Sequence, residues 1–205
     1  MRMKLVWMLM GLPALVWGQE RPDDYLSAAF HADRRAAVRD QLPPKSVALF
    51  FANPVRNRAN DVDYVYHQDP DFYYLTGILE PHAVLVLSKD EIAGPDGEEG
   101  TDLLFVQSRN RMAEMWTGRR LGAEGAATQT GMDAVYAHEQ FADWKMDFTR
   151  FDKVLILGFA EDVRDGRSDS DLYDLIDQFK EKAAYPEDFD PKRYEIYSLI
   201  RTTDL

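Results

Sequence analysis

The sequence predicts an α/β domain in which helices cover a mixed sheet. Three observations carry that reading. Short apolar runs rich in β-branched residues (SVALFF at 46–51, HAVLVLS at 82–88, KVLILGF at 153–159) are separated by stretches of helical period. The clearest of those stretches, 168–183, places Leu172, Leu175, Ile176 and Phe179 on one face. Finally, 205 residues that are 45% apolar suffice for one core and are short for two.

The chain opens with Arg2 and Lys4, followed by an apolar stretch at 5–17 that Pro13 interrupts and that is short for a bilayer span. Residues 1–18 are expected to be a signal peptide cut after Gly18, leaving an exported chain with no membrane attachment. Losing Arg2 and Lys4 moves the net charge from −12 to −14. A charge of that sign repels a phosphate backbone, which excludes nucleic acid as a partner. With no cysteine there is no disulfide, thiol nucleophile or thiolate ligand.

Taken in order, Asp23 and Asp24 open an expected helix running to about Gln41, with Leu26, Phe30, Ala37 and Val38 inward and Pro43-Pro44 as its stop. Residues 46–51 read as a strand buried on both faces, and 53–60 (NPVRNRAN) as loop. Asp69 before Pro70 is an N-cap signal for a short helix carrying Phe72, Tyr73 and Leu75, which Gly77 ends; the aromatic cluster reads as core. Residues 82–88 and 102–106 (DLLFV) form a predicted antiparallel hairpin joined by the Gly-rich 94–100. A short helical piece at 112–116 follows. The i, i+3, i+7 spacing of Phe141, Trp144 and Phe148 predicts another helix, 153–159 a buried strand, and 168–183 the last helix. The expected domain covers 24–185, with 186–205 as linker.

Chemistry is scarce. Gly166-Arg167-Ser168-Asp169-Ser170 lacks the final glycine of a nucleophile elbow, and no phosphate-binding glycine loop or paired-histidine motif occurs. His31, His67, His82 and His138 show no ligand spacing and read as surface histidines. Asp61, Asp63, Asp69, Asp71 and Glu80 crowd one stretch, as a solvated acidic loop with capping roles or as a carboxylate pair. Arg109, Arg111, Arg119 and Arg120 surround Trp116; they can hold a carboxylate or an acidic partner surface, or answer the acidic loop.

Two segments together resemble the N-terminal domain of the Xaa-Pro aminopeptidases, the aminopeptidase P family. The motifs are Arg58-Ala59-Asn60-Asp61, Tyr64-Val65-Tyr66-His67-Gln68, Asp71-Phe72-Tyr73-Tyr74-Leu75-Thr76-Gly77, Glu80-Pro81 and Glu114-Met115-Trp116-Thr117-Gly118-Arg119-Arg120-Leu121-Gly122. The match runs from about Phe30 to Gly131, with Arg34-Arg35 of the first helix fitting too, and departs at His67, where Arg is common, and Pro70, where Ser is common.

The resemblance implies a mixed six-stranded sheet flanked by helices, the creatinase/prolidase N-terminal fold with its ribonuclease H-like motif. It implies a C-terminal catalytic domain carrying a pair of Mn2+ or other divalent ions, homo-oligomers, and substrates that are peptides with proline at position two. No metal is expected on this chain, which reads as a fragment, inert alone. Asp61 and Trp116 are expected at the substrate entrance. Tyr66, Asp71, Phe72, Tyr74, Gly77, Glu80, Pro81, Gly118 and Arg119 are expected as motif and structural positions. A prolidase domain and a stand-alone exported assembly module remain the alternatives.

Overall fold

The computed structural model describes residues 25–159 and 169–185. The expected signal peptide, 1–18, and the linker, 186–205, lie outside the described residues.

In chain order the elements are α1 (Ala28–Gln41), β1 (Ser46–Phe51), β2 (Asn57–Ala59), β3 (Val62–Asp63), α2 (Pro70–Thr76), β4 (Val84–Ala93) and β5 (Glu99–Val106). There follow α3 (Arg111–Thr117), α4 (Gly122–Thr130), β6 (Val135–Ala137), α5 (Gln140–Asp143), β7 (Lys153–Ile156) and α6 (Leu172–Lys182). The sheet order is β6-β5-β4-β1-β7. β1, β4 and β5 form an antiparallel meander, while β6 runs parallel to β5 and β7 parallel to β1. The sheet is therefore mixed, as expected, but has five strands among the described residues and not six. β2 and β3 pair only with each other, in a small ribbon where the sequence reading placed plain loop.

Side chains alternate across the strands, so each face of the sheet nucleates its own core. Ala48, Phe50, Leu85, Leu87, Leu104 and Val106 meet Val38 of α1, Phe72 and Leu75 of α2, and Ala126 of α4. On the other face Val47, Leu49, Val86 and Phe105 meet Phe141, Trp144, Phe148 and the α6 residues Leu175 and Phe179. β1 lies inside the sheet between β4 and β7 with both faces covered, which is why its residues 46–50 are buried on both sides.

Local chemistry sets the helix ends. Asp69 caps α2 by accepting the Phe72 amide at 2.8 Å, Pro70 supplies the first turn, and Gly77 closes it in the left-handed conformation at φ 70°. A side chain at Gly77 would have no room: a Cβ there falls 2.7 Å from His31 Nε2. In α1 the expected start moves. Ser27 accepts the Phe30 amide, so the helix begins at Ala28, and no acidic residue occupies its first turn. Its buried face is also different, being His31, Arg35 and Val38, whereas Leu26 is exposed. The polar pair can be buried because Arg35 meets Asp102 and donates to the Leu75 carbonyl, and His31 bonds the Tyr74 carbonyl.

Phe141, Trp144 and Phe148 do not share one helix. Phe141 lies on the four-residue α5, Trp144 is its C-cap, and Phe148 begins a separate 3₁₀ turn, Phe148–Arg150. Edge-on and tilted ring contacts, 5.8 Å between centroids from Phe141 to Trp144 and from Trp144 to Phe148, still join them as one core unit.

Candidate functional site

α3 is a short helix with no buried residue, so its neighbours must hold it. Asn110 caps it, its side-chain oxygen accepting the Met112 and Ala113 amides at 3.1 Å each. Arg109 forks onto Glu114 with two hydrogen bonds, 2.6 and 2.9 Å, and that pairing holds the Glu114 carboxyl below its usual range. Beyond the helix Gly118 turns the chain at φ 86°, and the Leu121 amide donates to Glu80 Oε1 at 2.7 Å. Burial pushes the Glu80 carboxyl upward, against the pull of the Leu121 amide and of Arg120.

Clamped at both ends, α3 presents Met112, Met115 and Trp116 to solvent, with Trp116 87% exposed. An indole that far from any packing does no work in the core. Beside it runs a groove of about 760 Å³, walled by Asp63 of the ribbon, Tyr64 and Tyr66 after it, Glu80, the 116–120 segment, and the first turn of α6. Gln68 fastens the groove's base. Its Oε1 accepts the Asn53 and Asp69 amides and sits 2.8 Å from the Tyr66 hydroxyl, while Nε2 donates to the Glu80 carbonyl. Burial raises the Tyr66 hydroxyl's pKa and keeps it protonated.

The structure thus brings Tyr66, Glu80, Pro81, Trp116, Gly118 and Arg119 around one groove. Asp61 lies outside it, exposed in the turn of the β2–β3 ribbon, and makes no hydrogen bond or ion pair among the described residues; Asp63 takes the groove wall instead. Asp71, Phe72, Tyr74 and Gly77 belong to α2 and its cap, with Phe72 fully buried. Arg109 pairs directly with Glu114 within its own segment and acts on Glu80 at longer range.

The histidine reading is corrected. His31 and His138 are buried, and burial lowers the pKa of His31, His82 and His138, that of His82 to about 4. Only His67 is exposed. His82 Nδ1 accepts the Leu172 amide at 2.9 Å, and His138 Nδ1 lies 3.2 Å from the His82 carbonyl. Nothing in the local sequence reveals these contacts, since they join residues 90 and 56 positions apart. Among the described residues no three His, Asp or Glu side chains gather to hold a metal ion, so these donors do not fit a dinuclear centre. Nor is any helix among them long and apolar enough to cross a membrane.

Residues 31–153 match the aminopeptidase P N-terminal domain family. The chain is 42% identical over 107 residues to the Xaa-Pro aminopeptidase of Escherichia coli K12, covering 52% of this chain and 23% of that protein. It is 39% identical over 104 residues to human Xaa-Pro aminopeptidase 3, covering 51% and 20%. Among solved structures, aminopeptidase PepP of Pseudomonas aeruginosa superposes with TM-score 0.59 at 34% identity, over 66% of this chain and 30% of that one. Aminopeptidase P of E. coli with the inhibitor Pro-Leu gives 0.58 at 31%, over 76% and 33%. The matched part spans a third or less of each of these relatives. The chain belongs to the aminopeptidase P family, of which it carries the N-terminal domain.

Proposed function

We propose that this domain is the non-catalytic N-terminal part of an exported Xaa-Pro aminopeptidase, a metallopeptidase that removes the residue ahead of proline, and that it supports assembly and shapes the substrate entrance. The observation that carries the reading is Trp116, exposed on a helix clamped by Arg109–Glu114 and by Glu80–Leu121, at the rim of a groove. A rigid aromatic wall of this kind gives a peptide apolar contact at little cost in side-chain entropy.

The divalent metal pair, Mn2+ or another, belongs on this reading to a C-terminal catalytic domain, as the resemblance to the family implies. Export rests on the basic start and apolar stretch of residues 1–18. The exposed Met112, Met115 and Trp116 surface supports contact with that catalytic domain or with further subunits. The β1-β4-β5 meander with β7 parallel beside β1 supports the ribonuclease H-like reading of the sheet.

An assay of the purified chain tests this assignment. With or without Mn(II) it should release no free amino acid from an Xaa-Pro-Xaa peptide. Metal-dependent release at about 1 s⁻¹ or faster, an ordinary enzymatic rate, would place the chemistry here instead.

A further inference from the structure

We propose that His82 is a proton-operated latch: its neutral ring holds the first turn of α6 against the start of β4, and its protonated ring releases that turn and opens one wall of the groove.

The contact has a fixed polarity. The Leu172 N–H is a donor only, so the His82 Nδ1 facing it at 2.9 Å must be the unprotonated nitrogen. Leu172 is the first residue of an eleven-residue helix, whose unpaired amides and dipole make its N-terminus partly positive. A proton on Nδ1 sets donor against donor and places a full positive charge at that same end. Both effects push the helix off. His82 sits at φ 54°, in a backbone conformation that non-glycine residues adopt rarely.

The charged groups around the ring come from four segments and act in both directions. Asp171 at the start of α6 favours the charged ring most strongly, while His138, after β6, and Arg120, after α3, oppose it. Asp171 is at the same time the N-cap, accepting the Asp174 amide. Glu139 sits beside His138, 3.3 Å from its Nε2, and Glu80 from the β4 approach lies near Arg120. His138 differs from His82 in having an acceptor at each nitrogen, the His82 carbonyl and Glu139, so protonation costs it no hydrogen bond. His82 alone loses a bond when charged. Burial, the main cause, lowers its pKa to about 4, so the ring in the docked state is neutral at pH 7.5.

The sign follows from linkage. A docked state that holds His82 neutral binds fewer protons than an undocked one, so opening is suppressed above pH 6.5 and rises as pH falls toward about 4. One linked proton gives roughly tenfold per pH unit, hence an opening equilibrium raised on the order of a hundredfold at pH 4.5 relative to pH 7.5.

Hydrogen exchange of the full chain, corrected for intrinsic rates, reads this directly. The α6 amides should lose protection by that factor and stay less protected than the β1 and β4 amides at every pH, because α6 opens without the sheet. His82→Asn retains an acceptor near the Nδ1 position, tolerates positive φ, and cannot titrate; its α6 protection should be flat over the same range. Nitrogen NMR of the unsubstituted chain at pH 7.5 should show Nδ1 of His82 without a proton. Three results would each overturn the latch: a proton on Nδ1 at pH 7.5, α6 protection equal to that of the sheet at every pH, or the same pH response in His82→Asn.

Discussion

Arg35 of α1 reaches Asp102 of β5 with Nε 2.9 Å from Oδ2, its side chain only 3% exposed, and Arg39 closes on the other carboxylate oxygen. This ion pair ties the first helix to the hairpin across 67 residues, and the second hydrogen bond of Arg35, to the Leu75 carbonyl, ties in α2. Removing the carboxylate leaves a buried guanidinium without its counter-charge. Asp102→Asn should therefore cost about 3 kcal/mol, read as a lower urea midpoint with unchanged slope. A midpoint within experimental scatter of the parent would show that the pair contributes little net stability.

Gly77 is the second structural weak point. Its φ of 70° already strains any other residue, and the Cβ of alanine would press on the His31 ring. Gly77→Ala is expected to lower stability by about 2 kcal/mol or more, visible as a drop of several degrees in Tm. Pairing it with a smaller residue at His31 should recover part of the loss, but not the part due to the backbone.

The buried histidines make stability sensitive to mild acid. His31, His82 and His138 all have pKa values lowered by burial, so the folded chain binds fewer protons than the unfolded chain below pH 6.5. Stability should be full above that pH and fall as pH drops toward about 4, by at most about 1.4 kcal/mol per pH unit for each linked proton. Carboxylates with lowered pKa, such as Glu114 and Asp147, act only further down in pH. Urea midpoints at pH 7.5, 6.0 and 5.0 separate the two: a decline already evident between 6.5 and 5 belongs to the histidines.

Much of the fold is legible where the signal is local. The Asp69-Pro70 cap and Gly77 stop, the apolar run of β1, the hairpin, and the Leu172–Phe179 stripe each lie within a few residues and match the structure closely. Elements defined by distant partners were hidden. α4 buries Gly122, Ala126 and Thr130, too small or polar to form an apolar stripe, and β6 is three residues made a strand by pairing with β5. The Phe141, Trp144 and Phe148 spacing imitates helical period because ring packing, not one helix, joins them. At the site, the motifs gave Trp116 and Glu80, whereas Asp63, Tyr173 and the His82–Leu172 contact depend on how ribbon and α6 meet the groove.

The central claim is that Trp116 serves the substrate entrance and not the fold, and one comparison tests it most directly. In an enzyme where this domain precedes its catalytic domain, Trp116→Ala should lower kcat/KM for an Xaa-Pro-Xaa peptide by about tenfold or more, a loss of roughly 1.4 kcal/mol of transition-state stabilisation. Its urea midpoint should shift by less than the equivalent of about 0.5 kcal/mol, as befits a side chain 87% exposed. Unchanged kinetics together with a clear loss of stability would contradict the account.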